Sequence, residues 1–183
     1  MSDSQVNYLD RFPTWLRSLG EDALAAGQVA ATRELPESAR QALIGGINYM
    51  FKSLDLVPDG IDDIGYLDDA FVLRIAAEQA TREDLSKLPI EQTRLVSRLS
   101  EDAALIEQFL GDDYARLSGY VSGLRKVAAR ARSVQDILHN AEVQAAFLSD
   151  LRGFAQSYAP PTFSREEKNL VKLRAFFDAK LPR

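Results

Sequence analysis

The chain has 183 residues, 46% hydrophobic and 27% charged, the balance of a soluble globule with a packed core rather than a disordered or fibrous chain. Its 22 Lys and Arg against 27 Asp and Glu leave a formal charge of −5, which argues against nucleic acid as main partner, since phosphate binding draws on a basic surface. The absence of cysteine and the single His139 exclude disulfides, thiolate zinc sites, thiol nucleophiles and a two-histidine metal site within one chain.

The opening residues up to Trp15 show neither a basic n-region nor an apolar h-region, and no later run approaches the ~20 apolar residues of a membrane span. A cytoplasmic location is the expectation. From about Asn7 to Gly27, Leu9, Phe12, Leu16 and Leu19 recur at helical spacing, with Pro13 expected near the helix start. Pro36 suits the first turn of a second helix running to Phe51, whose buried line is Leu43, Ile47, Met50 and Leu54. Gly45 and Gly46 each weaken that helix by about 1 kcal/mol relative to Ala, which predicts a tightly packed neighbour.

The next stretch, Leu54 to Leu73, carries Asp55, Asp59, Asp62, Asp63, Asp68 and Asp69 with no Lys or Arg between them. Pro58, Gly60 and Gly65 divide it, since Pro restricts its own and the preceding residue and Gly permits positive φ. It reads as an ordered corner between two helices. Tyr66 to Ala80, apolar on more than one side, is the candidate central helix.

Thr81 to Asp84 has the outline of a capping box, with Asp in place of Glu. Leu95, Leu99, Ala103, Ile106 and Leu110 form one face of a helix from Ile90 to Leu110, stopped by Gly111. The periodicity of Leu117, Tyr120, Val121, Leu124, Val127, Ala128 and Ala131 predicts a strongly amphipathic helix over 112–132. Arg116, Arg125, Lys126, Arg130 and Arg132 spread around its polar side. Gly119 and Gly123 either admit a close neighbour or are merely tolerated. A further helix is expected over Ser133 to Tyr158, before Pro160 and Pro161. Ser164 and Glu167 make a capping box for the last helix, with Leu170, Leu173 and Phe177 inward. No segment alternates with a period of two between hairpin turns. The expected fold is all-α: a compact single domain over 1–183, about seven helices, with a helix-corner-helix unit at residues 39–80 and the helices of 90–183 packed on it.

Asp55, Leu56, Pro58 and Asp59, followed by Gly65, Tyr66, Leu67, Asp68 and Asp69, resemble the signature of the YkvA-like family, a bacterial domain of unknown function. The resemblance covers about residues 39–80. It implies a helix-corner-helix unit, with Pro58, Gly65 and Tyr66 as motif positions, and brings no reaction, substrate or cofactor. Ser53 stands where the family has Pro, and Gly60, Asp62 and Asp63 replace its Phe, Pro and Val. This corner is therefore more acidic and more flexible than the pattern.

Like charges this dense repel by about 1 kcal/mol per close pair even in water, so something must relieve them. One relief is structural: Asp55 and Asp59 cap turns, Asp68 and Asp69 face a helix N-terminus, and Lys52, Arg40 or Arg74 supplies countercharge. The other is a hard divalent cation, Mg²⁺ or Ca²⁺, on Asp55, Asp59, Asp68 and Asp69. The spacing is not that of a helix-loop-helix calcium site. His139 reads as a surface helical residue rather than a base.

No Gly-rich phosphate loop or Ser-His-Asp order can be assembled, so the first expectation is a non-catalytic binding or scaffold module. Its partner is another protein or a second copy of the chain. One alternative is a hydrolase or phosphoesterase using Mg²⁺ or Mn²⁺ at those four aspartates. Another is peripheral membrane association through the basic helix 112–132.

Overall fold

Helix α3, Leu67–Ala80, is buried at every position except Glu78. This is the central helix expected from its all-round apolarity. The computed structural model describes residues 3–53 and 55–183, so the inward place expected of Leu54 lies outside them. In chain order the other helices are α1 (Asp3–Ala30), α2 (Glu37–Asn48, continued by a 3₁₀ turn Tyr49–Phe51), α4 (Ile90–Glu101) and α5 (Ala103–Leu110). They are followed by α6 (Asp113–Gly123, continued by a 3₁₀ turn Leu124–Lys126), α7 (Val134–His139), α8 (Ala141–Ser157) and α9 (Glu167–Lys180). No strand occurs among the described residues, only an isolated bridge between Ala129 and Arg132. The fold is an all-α bundle with α1, α2, α4, α5 and α6 packed around α3.

The core is one contiguous cluster reaching from Tyr8 to Leu181. At its centre Phe71 of α3 stacks on Phe177 at 5.3 Å between ring centroids and meets Phe12 edge-on at 5.1 Å. Each such ring contributes roughly 1.5–3 kcal/mol by burial. Pro13 sits inside α1 rather than near its start. A proline there removes a backbone hydrogen bond and disfavours the helix by ~3 kcal/mol, which the buried Phe12, Trp15, Leu16 and Leu19 on either side offset.

The glycine pair of α2 does meet close neighbours. A Cβ on Gly45 would stand 3.2 Å from the backbone of Leu124 and Arg125, and one on Gly46 would stand 2.5 Å from Ala76 Cβ of α3. Gly119 and Gly123 face open space. Gly119→Ala, in the exposed middle of α6, is accordingly expected to stabilise the protein by about 0.5–1 kcal/mol in urea denaturation.

Three expected helices end earlier than their periodicity suggests. The helix of 90–110 is interrupted at Asp102, and that of 133–158 at Asn140, whose side chain accepts from the Glu142 and Val143 N–H groups and starts α8. This turns the seven expected helices into nine among the described residues. The helix of 112–132 ends at Gly123, because the chain turns where Leu124 and Arg125 press on Gly45. Beyond it, Ala129 and Arg132 exchange two 3.0 Å backbone hydrogen bonds, with Arg130 and Ala131 between them at φ 50° and 58°. The expected helix therefore does not carry Arg130 and Arg132, and Arg125 and Lys126 lie in the 3₁₀ turn.

The two expected capping boxes are also absent. Thr81 closes α3 by donating to Glu78 O, Asp84 accepts from Ser86 N–H, and α4 starts after Pro89. Ser164 accepts from the Asn169 side chain, while Glu166 precedes α9 without a side-chain cap. A capping box forms instead at Ser133 and Asp136.

Candidate metal centre

The chain from Asp55 to Tyr66 makes the corner. Ile61 N–H donates to Pro58 O and Gly65 N–H to Ile61 O, winding the segment into successive turns. Positive φ falls on Asp63 (71°) and Tyr66 (66°), not on the glycines of the corner. Gly65 serves a different purpose: a Cβ there would collide with the Asp59 carbonyl oxygen and lie 2.9 Å from the Asp59 carbonyl carbon. Gly60 has nothing near it.

This winding lays Asp59 over the first turn of α3. One carboxylate oxygen each from Asp59, Asp68 and Asp69 lies within 4.8 Å of the other two. Asp68 and Asp69 are 0% and 2% exposed, while Asp59 reaches solvent. Asp68 Oδ2 is held by the Tyr49 hydroxyl, which donates to it, and by Val57 N–H at 3.1 Å. The Tyr49 oxygen in turn accepts from Leu56 N–H at 2.7 Å. Asp68 Oδ1, Asp69 Oδ2 and Asp55 Oδ1 are buried without a hydrogen-bond partner. Such oxygens are rare, since an unsatisfied buried acceptor costs roughly 1–3 kcal/mol and more when charged. Asp55 lies outside the mutually close trio but acts on it electrostatically, raising the proton affinity of Asp68 and Asp69.

The structural relief is only partial: Asp68 and Asp69 do lie in the first turn of α3 and Lys52 draws down the proton affinity of Asp55, but the arginines are engaged elsewhere. Arg74 is spent elsewhere: buried over the Trp15 ring, it pairs with Asp102 at 2.9 Å and Asp22 at 3.6 Å. Arg40 donates to Ala30 O, and Lys52 to the Tyr120 hydroxyl. Among the described residues no ion pair reaches Asp55, Asp59, Asp68 or Asp69, and no hydrogen bond reaches the carboxylates of Asp55 or Asp59. Neither therefore caps a turn. The N-terminal dipole of α3 remains as the only expected compensation for Asp68 and Asp69.

Burial then governs the protonation of the cluster. It pushes Asp68 up to about 7, against the lowering effect of its bonds from Tyr49 and Val57. Burial and the charge of Asp59 push Asp55 up to about 6, with Lys52 drawing it only partly back. Asp59 is raised by burial. Asp69 is raised well above the usual range by burial and then by Asp68, Asp59 and Asp55. Without a cation the site is a set of carboxyls that resist ionising together.

The donor chemistry fits a hard ion. Three carboxylate oxygens within 4.8 Å of one another are near enough to draw in around a single ion, which Mg²⁺ and Ca²⁺ bind at about 2.0–2.6 Å. His139, exposed and 3.6 Å from Glu37, contributes nothing to it. Three of the four expected ligands, Asp59, Asp68 and Asp69, are thus brought together, and Asp55 flanks them. Tyr49 is the residue the sequence reading passed over; its signal is a hydroxyl on an otherwise buried ring, which has to find a polar partner.

No family model, curated protein or solved structure matches the chain. Among the described residues no helix is long and apolar enough to cross a membrane.

Proposed function

We propose that this is a cytoplasmic helical binding module whose corner takes one hard divalent cation, Mg²⁺, Mn²⁺ or Ca²⁺, on Asp59, Asp68 and Asp69, with Asp55 as a flanking charge. The observation that carries this reading is that Asp68 and Asp69, which converge with Asp59, each keep a buried carboxylate oxygen without a partner, Oδ1 and Oδ2 respectively, and that no base among the described residues is paired to any of the three. A divalent ion relieves the mutual repulsion and satisfies both orphan acceptors at once. Tyr49 and the Val57 N–H supply the outer shell that fixes which Asp68 oxygen points inward. Under this proposal, the aspartates by which the corner resembles the YkvA-like signature are its ligands and neighbours, and Gly65 is the residue that lets Asp59 approach them. The two earlier alternatives gain less support: the basic helix meant for a membrane surface ends at Gly123. Among the described residues no hydrogen bond joins a base to a hydroxyl nucleophile at the cluster other than Tyr49 to Asp68, which holds a ligand.

The test is Mn²⁺ binding to the full chain, followed by the loss of the free-ion EPR signal. One ion per chain is expected. Asp69→Asn, which keeps shape but removes charge, should abolish binding while leaving the cation-free protein folded and at least as heat-stable. Tyr49→Phe should weaken Mn²⁺ binding by about 10-fold, the usual effect of removing an outer-shell partner. Absence of Mn²⁺ binding at millimolar ion, or unchanged binding by Asp69→Asn, would overturn the proposal.

A further inference from the structure

Beside the carboxylate cluster lies a cavity of about 520 Å³, within the range of small-molecule sites. Asp59 belongs to both, the only cluster aspartate on the cavity wall. Phe51, Tyr66 and Phe154 give that wall an aromatic lining, and Arg130 and Asp150 are its other charged residues.

Arg130 is placed there by the turn that replaced the expected helix. Both central residues of that turn, Arg130 and Ala131, are left-handed without being glycine, a conformation that disfavours each by about 1–2 kcal/mol. The guanidinium rests on the Phe51 ring at 4.6 Å and reaches Asp150 at 3.2 Å. Asp150 is already engaged by Arg132 at 2.8 Å. One carboxylate oxygen therefore serves two guanidiniums, so Asp150 leaves Arg130 with donors to spare for a further anion on a wall that it shares with Asp59.

A cation held by three protein oxygens keeps coordination positions free, and Mg²⁺ in particular fills such positions with water and phosphate oxygens. A tetrahedral phosphoryl group offers three terminal oxygens, one for the cation and two for the planar guanidinium fork, whereas a carboxylate would have to share an oxygen between them. Resting on the cation reading above, we infer that the cavity binds a phosphate monoester whose phosphoryl group bridges the corner-bound cation and Arg130, with its apolar body against Phe51, Tyr66 and Phe154. The same chemistry occurs in a soluble ester and in a lipid headgroup.

The experiment uses the full chain and two probes, phenyl phosphate and phosphatidylcholine vesicles containing phosphatidic acid, each with Mn²⁺ present or removed by chelator. Phenyl phosphate is expected to bind the Mn²⁺-loaded protein at least about 10-fold more tightly than the stripped protein, and Arg130→Gln to lose that gain with Mn²⁺ affinity unchanged. Vesicle capture in place of phenyl phosphate, with the same dependence on Mn²⁺ and Arg130, supports the inference and assigns the headgroup as source. If Mn²⁺ binds but neither probe does, or if binding ignores Mn²⁺ or Arg130, the inference falls and the cation site stands. If Mn²⁺ does not bind, both fall.

Discussion

Stripped of divalent cations, the protein is expected to gain stability as the pH is lowered from about 8 to about 5, the reverse of ordinary acid weakening. The cause lies in the corner. Asp68 titrates at about 7 and Asp55 at about 6 in the folded chain, against an ordinary value of 3.8, and burial also raises Asp59 and Asp69. A carboxyl whose folded pKa exceeds its unfolded one binds more protons folded than unfolded, so stability falls as pH rises between the two values. The contribution is complete below the unfolded value and lost as pH climbs through about 6 and then about 7. For a carboxyl as buried as Asp68 the loss amounts to a few kcal/mol.

The groups facing the cluster do not cancel this. Tyr49 and Tyr66 are themselves raised by burial and by these aspartates, and Lys52 acts on Asp55 alone among them. Saturating Mg²⁺ or Mn²⁺ should invert the trend, because the cation needs the carboxylates ionised and competes with protons for them. Urea denaturation in chelator and in excess cation, at several pH values between about 5 and about 8, reads both arms. Stability in chelator that stays flat or rises with pH across that window would show that the cluster is relieved by something other than protons or metal.

The parts of this protein that were legible in its sequence are those governed by local chemistry. Pro36, Gly111 and the Pro160–Pro161 pair mark boundaries because proline and glycine act through their own backbone. The all-round apolarity of Leu67–Ala80 foretold the buried helix, and Gly45 and Gly46 foretold the close approach of Ala76 and Leu124. What was hidden depends on contacts distant in sequence. Nothing between Leu124 and Arg132 breaks the helical period; the chain turns there because α2 occupies the space, and that turn delivers Arg130 to the cavity.

The candidate site divides in the same way. Its aspartates stand out by composition, whereas their convergence depends on Tyr49, 19 residues before Asp68, and on the Val57 N–H. Arg74, adjacent to the cluster in sequence, looked like its counterion. Instead it is committed to a chain of charges running from exposed Arg98 through the buried Asp22 and Asp102 to exposed Arg11.

Gly65→Ala should unfold the corner's function and much of its stability together, whereas Gly60→Ala should do neither. At Gly65 the added methyl would meet backbone, the Asp59 carbonyl group and Ile61 O at 3.0 Å, none of which can rotate away as a side chain end can. The Pro58–Ile61 and Ile61–Gly65 turns hold that backbone in place, so relief means moving Asp59 away from α3. Overpacking of this kind destabilises by about 1–3 kcal/mol or more, and here it also withdraws the one ligand that does not sit on the helix. Loss of the Mn²⁺-dependent rise in melting temperature should therefore accompany the lower melting temperature. At Gly60 the methyl meets open space, and the change should stay within about 1 kcal/mol, with Mn²⁺ binding kept. The pair separates close approach from flexibility: if both variants lose the ion, the corner needs its glycines as hinges, and if Gly65→Ala keeps it, Asp59 is held over Asp68 and Asp69 by something other than this contact.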